Sequence, residues 1–160
     1  MKRLVLAALV LAVPGSLVAQ MAAPPTAIFL KKAGASDLFE REEGALMSRS
    51  ANPAVRRFAQ EMVRDHTKSS ADIKAAAKAS RLRVAPPTLA PDQVRNLAAL
   101  RAARGPARDK LYIDQQKAAH RDALALMQAY SEGGDSRALR AVAGKIVPVV
   151  KMHIDMLSRM

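Results

Sequence analysis

From residue 26 onward, apolar residues recur at three- and four-residue spacing, and no segment alternates with the period of two that marks a half-buried strand. The pattern predicts four long helices. The first runs from about Ala27 to Ser50, capped by Thr26, with Ile28, Ala35, Leu38, Phe39 and Leu46 inward. Asn52-Pro53 is a break and a restart, because asparagine caps a helix and proline suits its first position. The second helix then carries the stripe Val55, Phe58, Met62, His66, Ser69 and Ile73 as far as about Ser80. A third helix, about Ala107 to Ser131, turns Tyr112, Ile113, Gln116, His120, Ala123 and Met127 to one side. Gly133-Gly134 makes a turn, Asp135 or Ser136 is the cap, and the fourth helix covers about Ser136 to Ser158. Its stripe is Leu139, Val142, Ile146, Val149, His153 and Met156, and Pro148 inside it predicts a kink near Gly144 or a later start.

The stretch from Arg81 to Pro106 differs. Pro86-Pro87 blocks helix, Pro91 opens a short one over about Asp92 to Ala103, and Gly105-Pro106 closes it. A 25-residue helix is about 37 Å long, and this connection is long enough to travel that distance. The connections are therefore tight, long and tight. That predicts an all-α, ferritin-like four-helix bundle with a long central crossover carrying a short extra helix. An up-down-up-down bundle with a decorated loop is the alternative.

The chain start changes the picture next. Lys2 and Arg3 precede an apolar run, Leu4 to Val13, which Pro14, Gly15 and Ser16 end. A membrane span needs about 20 apolar residues, so the run reads as a secretory signal over 1–19, cut near Ala19. Leu17 is a poor −3 residue, so the cut can slide; a short uncleaved anchor is the other reading. Residues 20–25 form a linker, and 26–160 the bundle domain. The expected location is periplasmic or secreted, with no transmembrane segment in the mature chain.

The net charge is +12, and removing Lys2 and Arg3 leaves 24 basic and 14 acidic residues, or +10. From Arg81 to Lys110 seven Lys/Arg face two Asp, a candidate contact for an anionic envelope surface and otherwise a solvated face. No nucleic-acid recognition motif is present. The absence of cysteine excludes disulfides, thiolate ligands and a cysteine nucleophile.

Four stretches carry a resemblance: AGASDLFEREE (33–43), NPAVRRFAQEMVRDHT (52–67), RDKLYIDQQKAAHRDALAL (108–126) and VVKMHIDML (149–157). They resemble the bacterial exported family called domain of unknown function 4142. The resemblance implies a ferritin-like fold, export, and matches to the family's polar residues at Glu40, Asp65, His66, Asp109, Tyr112, Gln116, His120 and His153. It implies no assigned activity.

Three histidines, His66, His120 and His153, each fall on the apolar stripe of a different long helix. A ferritin-like di-iron centre requires Glu-x-x-His on two helices. Here the residues three before each histidine are Val63, Lys117 and Val150, which removes that version. Residues equally far from a tight hairpin turn face one another. A first turn near Asn52 sets His66 level with Leu38, a turn from Glu40. A second turn near Gly133 sets His153 level with about Asp114, some 10 Å along the axis from the other two. The expectation is two polar clusters. In one, Asp65 or Glu40 orients His66. In the other, His153 bonds Tyr112, Gln116 or Asp109. A transition metal, if bound, would use Glu40, His66 and His120. Met152, Met156 and Met160 add a weaker copper(I) reading. Glu42 and Glu43 read as a charged face, and Ser69-Ser70 lacks oxyanion-hole glycines. The sequence points to a non-enzymatic binding, structural or stress-protective bundle without a cofactor, with a metal-binding or redox bundle as the alternative.

Overall fold

A computed structural model describes residues 22–160, so the signal-peptide reading lies outside the described residues. There are five helices: α1 Thr26–Met47, α2 Pro53–Ala79, α3 Pro91–Ala102, α4 Gly105–Gly133 and α5 Arg137–Ser158. Among the described residues there is no strand, and no helix is long and apolar enough to cross a membrane.

Local chemistry sets most of the boundaries. The Asn52 side chain accepts from the backbone N–H of Ala54 at 2.9 Å, and Pro53 fills the first turn, as the sequence predicts. Ser136 caps α5 through the N–H of Leu139. Thr26 does not cap α1 as expected. Pro25 holds that position, and the Thr26 hydroxyl meets the Tyr130 hydroxyl at 2.6 Å instead. The α5 helix runs through Pro148, on its exposed side, rather than starting after it. Two stripes are rotated from expectation. Ile28 is exposed while Phe29, Leu30 and Ala33 are buried; Val149 is exposed while Val150 is buried.

The cross-helix bonds give the topology. Asp37 meets His66 and Ser70 while Gly44 lies against Ala59 and Val63, so α1 and α2 are antiparallel. Ser50 with Asp109, Glu43 with Gln116 and Thr26 with Tyr130 make α1 and α4 antiparallel. Ser80 with Ser136 and Asp65 with His153 do the same for α2 and α5. It follows that α2 and α4 are parallel, and residues 80–104 carry the chain back along the bundle. This is the one-crossover connection. The short α3 buries Leu97 and Leu100 against the bundle and leaves Val94 exposed.

Two apolar clusters form. One end packs Phe29, Ile73, Tyr130 and Leu139; the other packs Met47, Phe58, Met62, Tyr112 and Leu157. Between them, on every long helix, lies a buried polar layer: Asp37, Glu40, Glu43, His66, Gln116, His120 and His153.

Candidate metal centre

The three histidines come from α2, α4 and α5, each at a point where the apolar stripe crosses the polar layer. His120 and His153 are fully enclosed, and His66 is 6 % exposed. Their rings meet in pairs, with centroids 5.2 Å apart for His120–His153, 5.7 Å for His66–His120 and 5.8 Å for His66–His153. The expected 10 Å displacement of His153 is therefore wrong. The residues midway between His120 and His153 are Ser136 and Arg137, not Gly133. Moving a hairpin pivot by three residues shifts the facing position by about six, close to 10 Å. The stagger arises because α4 continues to Gly133 and residues 134–136 turn the chain before α5 begins. Gly134 permits that turn: a Cβ there would lie 2.5 Å from the Tyr130 ring.

Each imidazole has one nitrogen tied to an acceptor. His66 Nδ1 lies 2.9 Å from Asp37 Oδ1, and Asp37 Oδ2 accepts from Ser70. His120 Nδ1 lies 2.9 Å from the Gln116 carbonyl, which can only accept, so Nδ1 carries the hydrogen. His153 Nε2 lies 3.0 Å from Asp65 Oδ2. A neutral imidazole with one N–H donating presents a lone pair at its other nitrogen. Those nitrogens are His66 Nε2, His120 Nε2 and His153 Nδ1. His66 Nε2 is buried with no hydrogen-bond partner. His120 Nε2 and His153 Nδ1 face each other at 3.2 Å. All three residues offer ligand atoms within 4.8 Å of one another.

Protonation favours this arrangement for two of the three. Burial, reinforced by His66 and His153, pulls His120 down to about 3. Burial also lowers His153, against the Asp65 hydrogen bond. Both are neutral at neutral pH. His66 goes the other way: burial lowers it, but the Asp37 hydrogen bond and the charges of Glu40, Asp37 and Asp65 together raise it.

The remaining expected residues are placed as follows. Glu40 is fully buried, with Oε1 3.6 Å from His120 Nδ1, the ring edge facing away from the convergent nitrogens. Burial raises it to about 7, opposed by His66 and the Gln116 amide. His66 is oriented by Asp37, not by Asp65 or Glu40. His153 bonds Asp65 and faces His120 at 3.2 Å, and does not meet Tyr112, Gln116 or Asp109 as expected. Asp109 accepts from Ser50 at the far end of α1. Tyr112 and Gln116 sit beside Glu40 and Glu43, and Gln116 Nε2 donates to Glu43 Oε2 at 2.9 Å. Glu43, expected on a charged face, is fully buried, and burial raises it to about 8. Met152 is exposed, and Met156 and Met160 pack on the Met47–Leu157 cluster. Glu61, with Asp65 and His153, forms a half-buried donor group at the outer edge.

Asp37 was the functional residue missing from the sequence reading. Its signal was present as an acid every third position, Asp37, Glu40 and Glu43, on one helix face.

Residues 12–160, nearly the whole chain, match the family described as a domain of unknown function, DUF4142. The chain belongs to the DUF4142 family. Among solved structures, this DUF4142 chain is similar to the crystal structure of a DUF305 fragment from Deinococcus radiodurans. The TM-score is 0.71 at 17 % identity, over 88 % of this chain and 100 % of that one. That likeness speaks for the fold. No curated protein matches the DUF4142 chain in sequence.

Proposed function

We propose that this chain is an exported DUF4142 bundle that binds one borderline transition-metal ion, zinc(II) or copper(II), through His66, His120 and His153. One observation carries the reading: three histidines offer ligand nitrogens within 4.8 Å of one another in a buried layer, and His120 Nε2 and His153 Nδ1 stand face to face at 3.2 Å. Facing lone pairs repel unless a proton or cation lies between them, and both rings are neutral at neutral pH. Two nitrogens each about 2.0–2.1 Å from a tetrahedral zinc ion are themselves about 3.3 Å apart, close to the observed separation. The other ring nitrogens are held by two carboxylates and a backbone carbonyl, the support that fixes ligand tautomer and orientation. Imidazole donors suit zinc and copper.

The enclosure of the rings supports a binding role rather than turnover of a large substrate. Export is supported by the apolar run after Lys2 and Arg3. In the same reading the exposed arginines of the crossover, Arg81, Arg83, Arg95, Arg101 and Arg104, face the anionic envelope.

Cobalt(II) titration of chelator-treated protein tests the metal site, with elemental analysis of protein taken from its host compartment. One equivalent should bind with the visible absorption of tetrahedral cobalt, and zinc should displace it. His120→Ala and His153→Asn should each weaken binding at least a hundredfold. A wild-type chain that takes up no ion, or histidine variants that bind as well as wild type, would leave the layer a register-fixing hydrogen-bond network only.

A further inference from the structure

The imidazole site uses only half of the polar layer. On its α1–α4 side lie oxygens that the hydrogen bonds leave unsatisfied: both of Glu40, Oε1 of Glu43, Oε1 of Gln116 and the hydroxyl of Tyr112. All four residues are completely buried. Glu40 and Glu43 share a face of α1, one turn apart, and Tyr112 and Gln116 do the same on α4. The Gln116 amide bonds Glu43 across the two helices, and the charges of both carboxylates act on the Tyr112 hydroxyl. The cluster is therefore one site, lined by oxygens. Gln116 Nε2 gives one hydrogen to Glu43 and acts on Glu40 as well, and Tyr112 has a single proton to give. Among the described residues no lysine or arginine pairs with either acid; the neutral His120 ring lies 3.6 Å from Glu40, and His66 acts on Glu40 as the opposing charge.

A buried carboxylate is among the costliest groups a core can hold. A lining of oxygens from an amide, a phenol and two acids that would give up their protons on ligation matches a hard cation and not an apolar ligand. We propose that Glu40, Glu43, Gln116 and Tyr112 form a second cation site, selective for a hard divalent ion of the magnesium or manganese(II) class. It lies alongside the imidazole site and is chemically distinct from it: all oxygen where the other is all nitrogen. The two sites differ in preferred ion, so each can fill without the other.

Manganese(II) is the probe, because its six-line EPR signal in solution disappears on binding. The full chain, freed of metal by chelator, is titrated with manganese(II) alone and again after one equivalent of zinc. One manganese should bind per chain in both titrations. Glu40→Gln and Glu43→Gln, which keep side-chain volume, should weaken it at least tenfold each, and Tyr112→Phe by less. His66→Asn and His153→Asn should leave manganese binding intact while zinc binding is lost. No manganese uptake by the wild-type chain overturns the proposal, as does unchanged uptake in both glutamine variants. Manganese displaced by the first equivalent of zinc, and lost with the histidines, also overturns it, by showing one shared site; the imidazole reading then stands alone.

Discussion

Asp37 holds the raised hand of the cluster. Its carboxylate takes the Nδ1 hydrogen of His66 and is itself steadied by Ser70. Loss of such a supporting carboxylate costs 10- to 100-fold in metal affinity in comparable sites. Asp37→Asn should therefore weaken zinc binding by about that factor while circular dichroism and the His120–His153 half stay as they are; isothermal titration measures it. At this scale the sequence was readable in part. The three histidines and Gln116 stood out by their place on apolar stripes, and Glu40 and Asp65 by the family resemblance. Their pairing did not, because which acid meets which imidazole depends on helix rotation and stagger, and neither is written in spacing alone. Asp37 was hidden for a related reason: in an alanine-rich helix buried over much of its surface, an inward acid resembles an outward one.

Between elements, α1 and α2 approach closely at Gly44. A Cβ there would lie 2.8 Å from the Ala59 carbonyl oxygen and 3.0 Å from a Val63 methyl. The α1–α2 hairpin is thus set at a spacing that only glycine allows, and this brings Asp37 within reach of His66. Gly44→Ala should push the helices apart and destabilise the chain by about 1–3 kcal/mol, as overpacking of a tight interface does, measured by urea unfolding. The helix boundaries were legible because Asn52-Pro53, Pro91, Gly105-Pro106 and Ser136 act on the backbone locally. The first hairpin pivot was legible as well, since Asn52-Pro53 pins the restart after a five-residue break: His66 was set level with Leu38 and bonds its neighbour Asp37. The second pivot was not, because two glycines and a polar pair leave several residues on which the chain can turn.

For the molecule as a whole, the polar layer makes stability depend on pH in an uncommon direction. Glu40 and Glu43 are raised from 4.5 to about 7 and about 8, so the native state keeps protons that the unfolded chain releases. Their effect is a loss of stability as pH rises from 4.5 towards 8. His66, also raised, adds stability below its ordinary 6.5 that is lost as pH climbs through its native value. His120, lowered to about 3, and His153 contribute stability above 6.5 that is lost on acidification. The metal-free chain should be most stable between pH 4.5 and 6.5. It should lose about 1.4 kcal/mol per pH unit for each titrating group between 6.5 and 8. Urea midpoints across that range, in chelator, read this directly. Bound cations reverse the slope, because ligation requires the deprotonated forms. The layer also spans both hairpins: His66 belongs to the first, and His120 and His153, 33 residues apart, to the second. An ion held by all three would add a direct link between two halves of the fold already packed together by both apolar clusters. At a hundred times its dissociation constant it contributes about 2.7 kcal/mol. In a chain without cysteine, the proposed ion would be the nearest thing to a disulfide: a cross-link that must break before the hairpins can part, and one that would slow unfolding as metal rises and release it as metal falls.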